Sequence, residues 1–317
     1  MNLSIVIVNW NTRELLEQCL SSVFMYPPEG GVEVWVVDNG SRDGSREMVQ
    51  EQFPMVQLLV NNNNPGFAHA NNQAVRQACG KYILLLNPDT VVMPGALDQL
   101  IKFMDETPEA GGAGPQLLNP DRTLQVSCYP RPTLFREFWR MFHLDAIRHF
   151  GTYPMKQWSL DTIQEVDVLM GACLILRCET FRQVGFLDED YFIYSEEVDL
   201  CYRVQQAGWR LYWVPQAQII HYGGQSTQLV AQEMFLRLYQ GKVIYFRIQL
   251  ETVVGGEWLP VVRYDTSHGY AHRDLMNKKG EVINSPIFVR DYNDALTFAE
   301  SDLKANWGLY KERFLRE

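Results

Sequence analysis

The sequence predicts an α/β fold built on a mostly parallel sheet flanked by helices, and three observations carry that expectation. Residues 3–86 alternate four short, largely apolar and β-branched runs with three amphipathic segments. A βαβαβαβ order of this kind packs as a parallel sheet with helices on both faces. The runs LSIVIV, VEVWVV, VQLLV and YILLL are nearly continuous rather than alternating, the pattern of strands buried on both faces. Each run ends in polar residues, and ligands in open α/β sheets bind beyond the carboxyl ends of the strands.

Taken in order, strands are expected at 3–8, 32–37, 56–60 and 82–86, with helices at 12–25, 45–53 and 68–79 between them. Leu15, Leu16, Cys19, Leu20 and Val23 share helical spacing, and Thr12 suits an N-cap. Residues 110–133 are rich in Gly and Pro, and GPQLLNPDRTLQVS reads as a strand pair or hairpin. A helix follows at 134–150, then a strand at 166–176 interrupted by Gly171, and helices at 178–184 and 197–207. A strand at 210–214 leads into AQIIHYGG, and a long helix covers 229–249. The pair Gly255–Gly256 marks a break. Residues 1–250 then form the larger domain, and 257–317 a small C-terminal α+β unit. In that unit a strand near 258–264, a polar loop carrying His268 and His272, a short strand near 286–289 and a helix at 292–315 are expected.

The bulk numbers narrow the function. A chain of 317 residues with 46% hydrophobic and 21% charged residues is ordinary for a soluble enzyme. A formal net charge of −10 argues against a nucleic-acid partner, which a basic domain would serve. The six cysteines, Cys19, Cys79, Cys128, Cys173, Cys178 and Cys201, form no CxxC pair and suit reduced thiols in the cytoplasm. The chain enters its first strand without a charged leader, so no signal peptide is expected. No apolar run approaches the ~18 residues of a membrane span.

Six polar clusters carry the chemistry. Asn9 and Asn11 lie at the tip of the first strand. In VVDNGSRDGS, Asp38 ends the second strand and Asn39, Gly40 and Ser41 follow. An acid there can accept from a ribose hydroxyl or a base N–H; the alternative is a turn that caps the next helix. In NPGFAHANN, Gly66 allows close backbone approach, and Asn71 and Asn72 can reach a phosphate or sugar from a helix start that favours anions. The alternative is a turn with a polar helix face. Neither GxGxxG nor GxxxxGK[ST] occurs. At the fourth strand tip, Asn87-Pro88-Asp89 offers one carboxylate, enough for a divalent cation that also binds phosphate oxygens. In YSEEVDLCYR, Glu196, Glu197 and Asp199 crowd three acids into four residues, which raises at least one pKa and suits a general base. A negative first helical turn is the plainer account of their position, but it leaves unexplained the aromatic surround of Tyr191, Phe192, Tyr194 and Tyr202. Last, His221 follows a further strand end; a lone His is more often structural.

In this order, SIVIVNWN, VVDNGSRDGS, NPGFAHANN, LLLNPDT, the MGAC segment, GFLDEDYFIYSEEVDLCYR and IIHYGG resemble the family 2 glycosyltransferases, in their rhamnosyltransferase-like branch, over about residues 1–245. The resemblance implies a GT-A fold, with a Rossmann-like donor-binding half over about 1–115 and an acceptor and catalytic half over about 116–250. It implies an inverting reaction that moves a sugar from a nucleotide-diphosphate sugar to an acceptor hydroxyl, in cell-surface polysaccharide or glycolipid synthesis. By position, Asn9, Asn11, Asp38, Asn39, Ser41, Gly66, Asn71, Asn72 and Asn87 would line the donor. Asp89 and His221 would hold Mg²⁺ or Mn²⁺, and Glu197 would be the base beside Glu196. Gly171, Ala172 and Asp199 would face the acceptor. Two departures stand out: Asn87 replaces the first Asp of the family's DxD, and Glu197 replaces the usual Asp. There is no QxxRW of the processive synthases.

Residues 134–150 mix Phe135, Phe138, Trp139, Phe142 and Phe150 with Arg136, Arg140 and Arg148, which suits either a helix packed over the cleft or a membrane interface. The expected partners are therefore a nucleotide-sugar donor and a saccharide or lipid-linked acceptor. Peripheral contact at the inner face of the cell membrane and self-association are further candidates. Near Asp265, the tail residues His268, His272 and Asp274 could hold a metal, although solvated loop histidines are the simpler account. The rival functions are a nucleotidyltransferase, whose Gly- and Lys/Arg-rich signature residues 9–20 lack, and a nucleotide-sugar-binding module without catalysis.

Overall fold

The computed structural model describes residues 2–142, 145, 149–223, 231–253, 258–265, 270–277, 282–283 and 289–290. The chain forms two compact units, Met1–Leu229 and Val230–Glu317.

In the first unit, β1 (Leu3–Asn9), β2 (Val32–Asp38), β3 (Gln57–Val60) and β4 (Tyr82–Leu86) alternate with α1 (Arg13–Met25), α2 (Ser45–Gln52) and α3 (Phe67–Val75). The strands pair in parallel in the order β3-β2-β1-β4. Leu3, Ile5 and Ile7 pack into one core with Leu16, Leu20 and Val23 of α1. Val6 and Val8 join a second core with Ala70 and Ala74 of α3. Both faces of β1 are thus covered, which is why its sequence is continuously apolar. Each such aliphatic side chain contributes about 1.5–3 kcal/mol by leaving water.

Beyond β4 lie β5 (Thr90–Val92), α4 (Ala96–Glu106), β6 (Ala110–Leu118), β7 (Cys128–Tyr129), α5 (Leu134–Met141), β8 (Gln164–Val166), β9 (Val168–Leu169), β10 (Cys173–Arg177), α6 (Cys178–Val184), α7 (Glu196–Gln206) and β11 (Arg210–His221). The sheet continues β4-β10-β6-β11-β5. In it β10 runs antiparallel to β4 and β6, β11 runs parallel to β6, and β5 and β8 run antiparallel to β11.

Several expectations need correction here. The single strand at 166–176 is three strands, because the segment changes partner twice: β8 pairs with β11, β9 with β7, and β10 with β4 and β6. Gly171 sits at the second break. The strand begun at Arg210 runs on to His221, and a register shift between Val214 and Gln218 absorbs Pro215, which has no N–H to donate. Helix α4 and strand β5 were not anticipated, although Leu97, Leu100, Ile101 and Met104 are buried at helical spacing. The helix expected to reach residue 150 ends sooner. Asp145 accepts the backbone N–H groups of Phe150 and Gly151 at 2.8 and 2.9 Å and turns the chain.

The second unit contains α8 (Ala231–Val253), β12 (Trp258–Asp265), β13 (Tyr270–Asn277), β14 (Val282–Ile283) and β15 (Val289–Arg290). Strand β13 pairs antiparallel with the other three strands. His272 is therefore not in a polar loop but in β13, opposite Arg263, because hairpin pairing overrides local polarity. His268 and the expected helix at 292–315 lie outside the described residues, as do most residues of the expected strand near 286–289. Among the described residues no helix is long and apolar enough to cross a membrane.

Candidate active site

Parallel pairing sets Asn9 beside Asp38 at adjoining strand tips. Asp38 is almost wholly buried, and its Oδ1 accepts from the Ser41 N–H at 2.9 Å and from Arg46 Nε at 2.7 Å. Its Oδ2 accepts from Asn9 Nδ2 at 3.0 Å. Burial opposes ionisation, but hydrogen bonds from Ser41, Arg46 and Asn9 outweigh it and hold the carboxyl below its ordinary value. Asn9 also donates to Ser41 Oγ and accepts from Thr12, so it acts as a brace behind Asp38. Asn11, at φ 54°, accepts from the Arg42 N–H, and its own N–H donates to Ser41 Oγ. Arg46 carried no sequence signal beyond its place in the first turn of α2.

The next tips form a polyamide floor. Asn39 accepts from Asn61 and donates to Asn64 at 3.1 Å and to the Gly66 carbonyl at 3.3 Å. Gly66 has φ 101°, and a Cβ there would lie 2.7 Å from the Phe192 carbonyl oxygen, so the loop before α7 packs against bare backbone. Asn71 and Asn72 are buried with their amides already engaged. Asn71 donates to Phe67 O within its own helix. Asn72 donates to Leu187 O and to Glu189 Oε1, both at 2.8 Å, and accepts from the Leu187 N–H. Glu189 also receives His69 and Arg76. Although burial acts against it, hydrogen bonds from Asn72, His69 and Arg76 bring its pKa down to about 2. This cluster ties α3 to the loop at 187–192.

Antiparallel pairing of β5 and β11 sets His221 opposite Thr90 and brings Asp89 and His221 together. His221 Nε2 lies 3.3 Å from Asp89 Oδ1, both side chains being 8% exposed. His221 Nδ1 lies 2.7 Å from Gln125 Oε1. The Gln125 amide nitrogen donates to Asn119 Oδ1, which fixes that amide with its oxygen toward the ring. Nδ1 therefore donates to Gln125, and Nε2 faces the carboxylate. Nε2 is buried and has no hydrogen-bond partner among the described residues. A carboxylate oxygen and an imidazole nitrogen 3.3 Å apart in a buried pocket share either a proton or a cation. The donor set, one carboxylate and one imidazole oriented from behind, fits a divalent metal. Among the described residues no three His, Cys, Asp or Glu side chains converge, so phosphate oxygens and water would complete the coordination. Gln125 was invisible in the sequence, lying 96 residues from His221.

Asn87 and Glu197 meet the same short segment. The Asn87 N–H donates to the Ala172 carbonyl at 2.9 Å. A Cβ on Gly171 would lie 3.4 Å from Glu197 Cβ, so the missing side chain leaves Glu197 room. Helix α7 begins after Tyr194 and Ser195, both left-handed at φ 71° and 72°; such strain in non-glycine residues clusters at functional sites. Oε2 of Glu196 and Oε2 of Glu197 are both buried without a hydrogen-bond partner among the described residues. Burial, then the charge of Glu197, pushes Glu196 well up, and burial raises Glu197. Asp199 is bound to Arg203 at 2.8 Å, and Arg203 in turn donates to the carbonyls of Val184 and Phe186. That carboxylate secures the loop ahead of α7.

Comparison with known proteins follows this geometry. A family model described as Glycosyl transferase family 2 matches residues 4–148, and one described as Glycosyl transferase family group 2 matches 82–241. A model described as Domain of unknown function (DUF7718) matches 223–317. The N-acetylglucosaminyl-diphospho-decaprenol L-rhamnosyltransferase of Mycobacterium tuberculosis (strain CDC 1551 / Oshkosh) is 32% identical over 245 residues, covering 71% of this chain and 77% of that one. Rhamnosyltransferase WbbL of Escherichia coli (strain K12) is 31% identical over 177 residues, covering 54% and 66%. Among solved structures, GalNAc-T7 with UDP, GalNAc and Mn²⁺ superposes with a TM-score of 0.54 at 17% identity, over 70% of this chain and 44% of that one. The mannosyltransferase PcManGT from Pyrobaculum calidifontis with GDP-Man and Mn²⁺ gives a TM-score of 0.54 at 19% identity, over 79% and 64%. These two likenesses concern the fold.

Proposed function

Because the chain belongs to glycosyl transferase family 2, we propose that it moves a deoxyhexose, with L-rhamnose the leading candidate, from a nucleotide-diphosphate sugar to an acceptor hydroxyl with inversion. The acceptor is a saccharide carried on a lipid, and the work lies in cell-surface polysaccharide or glycolipid synthesis at the inner membrane face, by analogy with the named activities of the relatives. The sugar and the acceptor rest on those names; the reaction type rests on the site.

The chemistry is a single displacement. Asp38, held ionised by Arg46, Ser41 and Asn9, accepts from the base or ribose of the donor. A Mg²⁺ or Mn²⁺ ion held by Asp89 and His221 would neutralise the diphosphate and stabilise it as a leaving group. Glu197, beside Gly171, takes the proton of the acceptor hydroxyl. That oxygen forms its bond to the anomeric carbon as the bond from that carbon to the diphosphate breaks. Burial and the charge of Glu197 both favour the neutral form of Glu196.

The observation that carries this reading is the convergence of two halves on Gly171–Ala172. Asn87 meets the segment from the donor side and Glu197 from the other. A binding module without catalysis needs no buried carboxyl pair there. Glu197→Gln is expected to lower transfer by roughly 10²–10⁴-fold, the usual worth of a general base, while nucleotide-sugar affinity stays unchanged. Near-normal turnover in that variant would exclude Glu197 as the base. A thermal-shift comparison of UDP-, GDP- and dTDP-sugars with and without Mn²⁺ identifies the donor and the metal requirement.

A further inference from the structure

Residues 131–142 hold Arg131, Arg136 and Arg140 against one acid, Glu137, in a chain of net charge −10. Glu137 is engaged by Arg140 at 3.3 Å, and Asp167 lies 3.7 Å from Arg136. Arg131 has no carboxylate partner for its guanidinium among the described residues. Instead the guanidinium lies over the Tyr202 ring, 5.6 Å from its centre. Tyr202 belongs to α7, the helix that starts at Glu196 and Glu197. The stretch just before Arg131 is fastened to the acceptor segment: β7 pairs with β9, and the Met170 N–H donates to the Ser127 carbonyl. The Arg131 guanidinium therefore lies against the helix that carries Glu196 and Glu197.

Arg136 is fixed beside it. Its Nη1 donates to the Arg131 carbonyl at 2.8 Å and its guanidinium stacks 5.1 Å from the Phe150 ring centre. Its Nε is buried without an acceptor among the described residues. Next to these cations three rings cluster, with Phe135–Phe150 at 5.5 Å, Trp139–Phe150 at 5.8 Å and Phe135–Trp139 at 6.0 Å. Phe135 is 57% exposed and Phe150 37%. An exposed aromatic cluster adjoining a guanidinium with no carboxylate partner among the described residues has the polarity of an amphiphile whose anion abuts its chain. A neutral soluble saccharide can stack on such rings but offers no anion to the guanidinium. A bare anionic bilayer calls for cations spread over the helix surface rather than one against α7. Guanidinium groups match phosphate oxygens in a fork, and exposed aromatic rings pack against hydrocarbon.

We propose that Arg131, supported by Arg136, binds the diphosphate of a lipid-linked acceptor, and that Phe135, Trp139 and Phe150 carry the first part of its chain. The inference rests on the transferase reading and assigns a subsite within it. Farnesyl diphosphate is the probe, titrated calorimetrically into the full-length chain with the donor site filled by saturating nucleoside diphosphate. Farnesyl diphosphate should bind at least about tenfold more tightly than inorganic pyrophosphate, and Arg131→Gln and Phe135→Ser should each weaken it about tenfold, the scale of one charge-assisted contact. Nucleoside-diphosphate binding in each variant reports whether the fold survives, and Arg131→Lys, expected to bind in between, replaces Arg131→Gln if the latter does not fold. Equal binding of pyrophosphate, or unchanged affinity in a folded Arg131→Gln, overturns the proposal. So does loss of flotation on phosphatidylglycerol vesicles with unchanged farnesyl diphosphate affinity, which makes the patch a bilayer contact. A wild-type chain that neither binds nor hydrolyses any nucleotide sugar would instead sink the transferase reading, whatever the titration gives.

Discussion

At the scale of single residues, the site is set by pairs whose members lie far apart in sequence. His221 is oriented by Gln125, and the result is Nε2 aimed at Asp89. Gln125→Leu removes that orientation, so the ring is free to present the wrong tautomer. Metal affinity should fall by 10–100-fold, the usual effect of losing such a support, read as the Mn²⁺ concentration that half-saturates the thermal shift of the nucleotide-bound chain. Unchanged metal affinity would show that His221 is not a ligand. Glu196 makes a second prediction through its charge. Its folded pKa is raised, first by burial and then by Glu197, so the stabilisation it provides is present below the ordinary glutamate value and is lost as pH rises through the raised one. Glu196→Gln keeps the neutral shape at every pH. Its melting temperature relative to wild type should therefore climb as pH increases, and a difference independent of pH would contradict the assignment.

At the scale of elements, α7 is placed by a loop that the polar face of α3 holds down. Asn72 makes three hydrogen bonds to residues 187 and 189, and Glu189 gathers His69 and Arg76 as well. Asn72→Ala leaves the Leu187 backbone groups without their buried partner, at about 1–3 kcal/mol. Amide exchange at 187–192 should quicken, and turnover should fall more than donor affinity, since Glu197 loses its seat while the β1 and β2 tips are untouched. Equal loss of both would mean that Asn72 meets the donor itself. The same loop shows what the sequence could and could not reveal. The parallel strands were legible because both their faces are apolar, and the polar tips were legible because they end those strands. The direction in which Asn71 and Asn72 point was not, since a turn-and-cap pattern reads alike whether the amide meets a ligand or a neighbouring loop. The antiparallel insertion of β10 between β4 and β6 left no local mark either: CLILR is a strand by composition, and its partners lie 60 or more residues upstream.

At the scale of the molecule, every candidate site residue from Asn9 to His221 falls within the unit Met1–Leu229. The family models for glycosyl transfer match residues up to 241, while the model of unknown function begins at 223. The polar side chains at the strand tips are held by hydrogen bonds to one another, all within the first unit. A unit with its own sheet, covered on both faces, has the core needed to fold alone. A chain ended at Leu229 should therefore melt cooperatively and bind nucleotide sugar with the affinity of the full chain. If it folds but binds weakly, residues 230–317 contribute to the donor site and the boundary drawn here is wrong for function. If binding holds and transfer to acceptor is lost, the second unit belongs to acceptor delivery or assembly. Comparing transfer to acceptor with donor hydrolysis in the shortened chain separates those two results, because hydrolysis needs the donor pocket and water alone.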